Sequence, residues 1–76
     1  MMFNKKNFVK RLNTLMENNK TSQQSLEDAI GVSRVAVSQF AHGANLPSIE
    51  KIVRIADYFH VSIDYLLGLS DNPHRP

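Results

Sequence analysis

Arg34, Val35, Ser38, Gln39 and His42 follow one another at steps of one and three residues, the spacing that keeps side chains on one face of a helix. Their chemistry is recognition, not bond-making. A guanidinium fork pairs with the O6 and N7 of guanine, a glutamine amide does the same on adenine, and a valine methyl presses on a thymine methyl. Groups that make and break bonds have no such grouping. The sequence offers no paired carboxylates, no nucleophile beside a base and no phosphate-cradling glycine loop, since Gly31, Gly43 and Gly68 all read as helix terminators. That pattern excludes an enzyme. His42, His60 and His74 lie 18 and 14 residues apart, without a second ligand at helical spacing, so neither a metal site nor a cofactor is expected.

The elements that must carry this face are helices. Phe8, Leu12 and Leu15, flanked by Val9 and Met16, recur at helical spacing and predict a first helix over about Lys5 to Asn18. Ser22 caps a second over Gln23 to Ile30, with Leu26, Ala29 and Ile30 inward, and Gly31 closes it in the left-handed region. Ser33 caps a third, Arg34 to His42, whose inward residues are Val37 and Phe40; Gly43 stops it. Ala44, Asn45, Leu46 and Pro47 form a loop. Ser48 caps a fourth helix with an apolar face of Ile49, Ile52, Val53, Ala56 and Phe59. Ser62 caps a short fifth over residues 63–67. The expected architecture is all-α, with a five-helix domain over residues 1–69 and a tail over residues 70–76.

At 76 residues and 8.6 kDa the chain is one small domain. Without cysteine it must rely on its apolar 42%, because disulfides and thiolate metal sites are unavailable. The longest apolar runs are two or three residues, far short of the roughly 20 that span a bilayer, and no apolar region follows the basic amino end. A cytoplasmic location and no membrane partner are therefore expected.

Function resides in the register of the second and third helices. Two short helices joined by three residues around a glycine make the helix-turn-helix signature, whose second helix enters the major groove of DNA. Leu26 and Ile30 before Gly31, and Val32, Val37 and Phe40 after it, occupy the positions that must be apolar for the pair to pack. With Arg34 at zero and about 100° per residue, Val37 and Phe40 define a core direction. Val35 and His42 centre the opposite face, flanked by Ser38 and Gln39, with Arg34 at its edge near the helix start. The amino-terminal part reads bases, so Arg34, Val35, Ser38 and Gln39 are the candidate readers, with His42 nearer the backbone.

The sequence resembles the Cro/Xre-type helix-turn-helix family, which includes the lambdoid phage repressors. The matching residues are Ser22-Gln23-Gln24-Ser25-Leu26, Gly31-Val32-Ser33-Arg34, Val37-Ser38, Gly43, Asn45-Leu46-Pro47-Ser48 and Val61-Ser62-Ile63-Asp64-Tyr65-Leu66-Leu67-Gly68. The resemblance implies a lambda-repressor-like domain that binds double-stranded DNA as a homodimer on an inverted repeat and regulates transcription as a repressor. By the same resemblance Gln23 is placed on a phosphate at the start of its helix. Ser33 is a cap first and a phosphate ligand second, and Asn45 holds the far side of the half-site. Two residues depart from the family pattern: Glu27 stands where a small residue is usual, and His60 where glycine is usual.

Charge is unevenly spread. Residues 1–20 hold Lys5, Lys6, Lys10, Arg11 and Lys20 against Glu17 alone, a net +4, while the remainder holds four cations against six acids, a net −2. The basic amino end is expected on phosphates beside the groove. Apolar and aromatic residues around Tyr58, Ile63, Tyr65 and Leu69 suggest the dimer contact. The rival reading is a protein-binding module of the same shape, such as an antitoxin or an antirepressor target.

Overall fold

The structure is a computed structural model describing residues 3–75, and among these it contains five helices and no strand. They are α1 (Lys5–Asn18), α2 (Gln23–Ile30), α3 (Arg34–His42), α4 (Ile49–Phe59) and α5 (Ile63–Leu66). Each begins where a side-chain oxygen takes up an amide that the helix itself leaves without a partner. Ser22, Ser33, Ser48 and Ser62 accept from the amides of Ser25, Ala36, Lys51 and Tyr65 at 3.0, 3.2, 3.4 and 3.1 Å. Asn4 does the same for α1, accepting from Lys6 at 2.9 Å.

One core joins the helices. Phe8, Leu12, Leu26, Ile30, Val37, Ile55 and Leu66 are its fully buried side chains, and Leu15, Phe40, Ala56, Phe59 and Val61 complete it. Through it α2 packs on both α3 and α4, α1 crosses α3 and α5, and α4 meets α5. α2 is thus the hub that holds α3 against the body. No helix among the described residues is long and apolar enough to cross a membrane.

Three expectations need correction. Ala29 is exposed, because α2 spans only two turns and Leu26 and Ile30 already fill the contact with its neighbours. On α4 the buried centre is Ile55 with Ala56 and Phe59, and Ile49 and Val53 face outward. Apolar residues occupy more of that helix's circumference than the roughly 100° stripe a core-facing helix buries, so one edge is left out. α5 ends at Leu66, and Leu67 caps it.

Backbone conformation follows residue type at the closures. Gly31 (φ 70°) and Gly68 (φ 77°) both take the left-handed region that costs other residues about 1–2 kcal/mol. They differ in their surroundings. A Cβ on Gly31 would meet only the mobile ends of Arg54 and Lys51, at 3.4 and 3.8 Å, but on Gly68 it would lie 2.5 Å from the Cβ of Asn7 in α1. His60 adopts φ 57° at the end of α4, so this chain carries a strained non-glycine residue at that closure.

Residues 70–75 lie back along the domain. Ser62 donates its amide to the Pro73 carbonyl at 3.0 Å and its hydroxyl to the Asn72 carbonyl at 3.3 Å. Arg11 pairs with Asp71 at 3.2 Å, and Arg75 pairs with Asp57. Two outcomes are expected in thermal or urea unfolding. His60→Gly should raise stability by about 0.5–1 kcal/mol, the relief of strain less the extra entropy of an unfolded glycine. Gly68→Ala should cost clearly more than Gly31→Ala, because only Gly68 adds a clash to the backbone strain.

Candidate nucleic-acid interface

α3 is fixed on one side and presented on the other. Val37 is fully buried and Phe40 nearly so, against Leu26 and Ile30 of α2, with Val32 half-buried at the turn. Burying side chains of this size contributes about 1.5–3 kcal/mol each, whereas an exposed ion pair contributes about 0–1 kcal/mol. Apolar packing therefore decides where α3 sits. The turn has little freedom to alter this: the amides of Gly31 and Val32 both donate to the Glu27 carbonyl, at 2.8 and 3.3 Å.

With the inner face committed, the outer face holds the expected set. Arg34, Val35 and His42 are exposed, and Ser38 and Gln39 are partly covered. Val35 is 65% exposed, a β-branched apolar residue standing among polar ones at the start of the helix. The polar members are held in place. Arg34 donates from Nε to Glu27 Oε2 at 3.4 Å and from Nη2 to Gln24 Oε1 at 3.3 Å. Gln39 accepts at Oε1 from Asn45 Nδ2 at 3.0 Å, so the loop residue steadies the amide of the helix residue. His42 Nδ1 lies 2.7 Å from the Ser38 carbonyl and 3.5 Å from the Ser38 hydroxyl, which leaves Nε2 outward. Ser33 is engaged as the α3 cap. Gln23, half-buried, opens α2 directly behind its cap, where the amides carry the positive end of the helix dipole.

The basic amino end lies alongside. Lys5 donates from Nζ to the Gly43 carbonyl at 3.4 Å, and Lys5, Lys6, Val9 and Lys10 line a shallow depression together with His42 and Gly43. Arg11 points elsewhere: its guanidinium lies 4.0 Å over the Tyr65 ring and pairs with Asp71. Of the amino-terminal cations, Lys5, Lys6 and Lys10 flank the end of α3 and Arg11 ties α1 to α5 and the tail.

Two residues of this region were not read from the sequence. Asn13 donates from one amide nitrogen to the carbonyls of Val9 at 2.8 Å and Ala41 at 2.9 Å, so it satisfies a carbonyl in the last turn of α3 from across α1. An isolated asparagine in a helix carries no signal of such a role. Pro47 is buried beneath the loop, where the sequence marked only its effect on the preceding residue. The four residues suggested for self-association are dispersed. Tyr58 borders a depression with Ala29 and Arg54, Tyr65 lies under Arg11, Leu69 is partly covered, and Ile63 shares a groove with Val53.

A two-turn helix closed by a left-handed glycine, with a second helix three residues on whose outer face is polar and whose inner face is core, is a helix-turn-helix unit. The chain belongs to the helix-turn-helix family: the family model of that description matches residues 12–66. Within it the relatives and the five-helix fold are of the Cro/Xre, lambda-repressor-like type. YobD of Bacillus subtilis, described as an uncharacterized helix-turn-helix-type transcriptional regulator, is 30% identical over 66 residues, which are 87% of this chain and 59% of YobD. The cryptic phage CTXphi transcriptional repressor RstR of Vibrio cholerae is 42% identical over 50 residues, 66% of this chain and 44% of RstR. This chain thus spans about half the length of those relatives. Among solved structures, the P22 c2 repressor in complex with a synthetic operator matches with a TM-score of 0.74 at 30% identity, covering 79% of this chain and 91% of that one. A transcriptional regulator from Listeria innocua matches with a TM-score of 0.77 at 33% identity, covering 80% of this chain and 57% of that one.

Asn13→Ala removes the bond to Ala41 at the α3 end together with the one to Val9 inside α1, and should lower unfolding stability by about 0.5–1.5 kcal/mol. Urea denaturation measures this, and an unchanged midpoint would show that the clamp contributes nothing.

Proposed function

We propose that the chain is a sequence-specific reader of double-stranded DNA that acts in the cytoplasm as a transcriptional repressor. α3 enters the major groove with Arg34, Val35, Ser38 and Gln39 on base edges and His42 nearer the phosphates. Gln23, Ser33 and Asn45 hold the backbone of the half-site. The observation that carries the reading is Val35. Water offers no reward for an exposed valine amid held polar side chains at the leading end of this helix, but a thymine methyl would cover it. The P22 c2 repressor, bound to a synthetic operator in a fold like this one, supports the same reading. Lys5, Lys6 and Lys10 add affinity that does not depend on sequence.

The chain pairs as a homodimer on an inverted repeat, with half-sites one helical turn, about 34 Å, apart. Val53 and Ile63, exposed and sharing one groove between α4 and α5, are the apolar residues assigned to that contact. Ile63→Glu suits the first position of α5, where a negative charge is favourable, and should leave the fold intact while shifting sedimentation on operator DNA from dimer to monomer.

Selection of bound duplexes from a random library tests the reading directly, and an enriched inverted repeat is expected. On the selected duplex Arg34→Ala and Gln39→Ala should each weaken binding by roughly 5- to 150-fold, the range of a lost bidentate base contact, and leave random duplex almost unaffected. Lys5→Ala and Lys6→Ala should weaken both and reduce the salt slope by about 1 each. Equal losses on both duplexes for all four variants would overturn the division of roles.

A further inference from the structure

The reading of α3 leaves Glu27 unused, and its surroundings are unusual. It lies on α2, one turn before Gly31, with its side chain only 16% exposed, while that of Arg34 is 66% exposed. The carboxylate sits where the chain could have placed a small apolar residue, and the ion pair it makes is too open to matter much for stability. The bonds around it form an ordered series. Gln24 donates from Nε2 to Asp28 Oδ1 at 3.2 Å, which turns its Oε1 toward α3, and Arg34 meets that oxygen with Nη2 at 3.3 Å and Glu27 with Nε at 3.4 Å. A guanidinium has five N–H donors in one plane. Two acceptors on α2 therefore fix the plane and leave three donors uncommitted, enough for the two bonds that guanine O6 and N7 accept.

We infer that Glu27, assisted by Gln24, is a positioning residue for base readout: it fixes the Arg34 fork before DNA arrives and thereby sets the preference for guanine at that position. The inference rests on the DNA-reading assignment above. Glu27 also acts in the opposite direction on random DNA. Its negative charge near the phosphates weakens contacts that depend on charge alone, so the same group strengthens the specific complex and weakens the non-specific one. A residue serving only the α2–α3 contact would do neither.

The test measures binding of the full chain to its selected duplex and to a random duplex, at fixed salt, for the wild type, Glu27→Gln, Glu27→Ala, Arg34→Ala and the double variant Glu27→Ala with Arg34→Ala. The ratio of specific to random affinity should fall about three- to tenfold in Glu27→Ala, and less in Glu27→Gln, which keeps an acceptor. The random-duplex affinity should rise about twofold in both as a negative charge is lost. With Arg34 absent, loss of Glu27 should lower the ratio by no more than the roughly twofold rise in random-duplex affinity. In the DNA-free protein the Arg34 Nε–H proton resonance should be resolved in the wild type and move toward the solvent-exposed arginine position in Glu27→Ala, with the unfolding midpoint little changed. An unchanged ratio in a chain whose wild type is selective, or a fall beyond about twofold that persists without Arg34, overturns this inference alone. A wild type that selects no sequence overturns the DNA-reading assignment, and this inference with it.

Discussion

Everything distinctive about this molecule depends on one constraint, the three-residue connection between α2 and α3. So short a link cannot be closed by an ordinary residue without strain, and Gly31 at φ 70° closes it. Once it is closed, Leu26 and Ile30 lie against Val37 and Phe40, and the rotation of α3 about its own axis is set. The outward face is then a consequence of the inward one. That is why four apolar side chains, which meet no ligand, determine which polar side chains a ligand would meet. The remaining elements support this pair: α4 backs α2, and α1 clamps the far end of α3 through Asn13.

Much of this was legible in the residues. The serine caps identify themselves because hydroxyl-to-amide bonding is local, and the glycine closures because positive φ is a property of a single residue. The bounds of α2 and α3 come from these two signals alone. What escaped legibility was decided at a distance. Ile55 belongs to the core and Ile49 does not, yet in sequence both are isoleucines on the same helix; only the position of α2 and α5 around α4 separates them. Asn13 looks like any exposed helical asparagine until Ala41 is found opposite. Glu27 could be marked as out of place, but its partnership with Arg34 crosses the turn and depends on the angle between two helices.

The charges follow a division of the same kind. Arg11 has an acid and an aromatic face close at hand and is absorbed into the body, whereas Lys5, Lys6 and Lys10 gather where α3 ends. A net charge of +2 says little because it sums these two uses. Opposite-sign groups also meet at the other end of α3, where one guanidinium bonds to Glu27 and to Gln24, whose own amide nitrogen is tied to Asp28. Thus α3 begins beside acidic and amide groups that hold the Arg34 side chain and ends beside three lysines, an asymmetry along a single nine-residue helix.

Val35 carries one more consequence. A valine inside a helix populates essentially one side-chain rotamer, so its two methyl groups are already stationary in the unbound molecule. An arginine or glutamine at the same place would surrender conformational entropy on docking unless something held it first, as Glu27 and Asn45 hold theirs. Valine needs no such neighbour. The outer face of α3 proposed for recognition is therefore frozen in two different ways, by hydrogen bonding where the side chains are long and by covalent branching where the side chain is short, and in both cases the loss of motion has been met in the folding of the protein before any partner approaches.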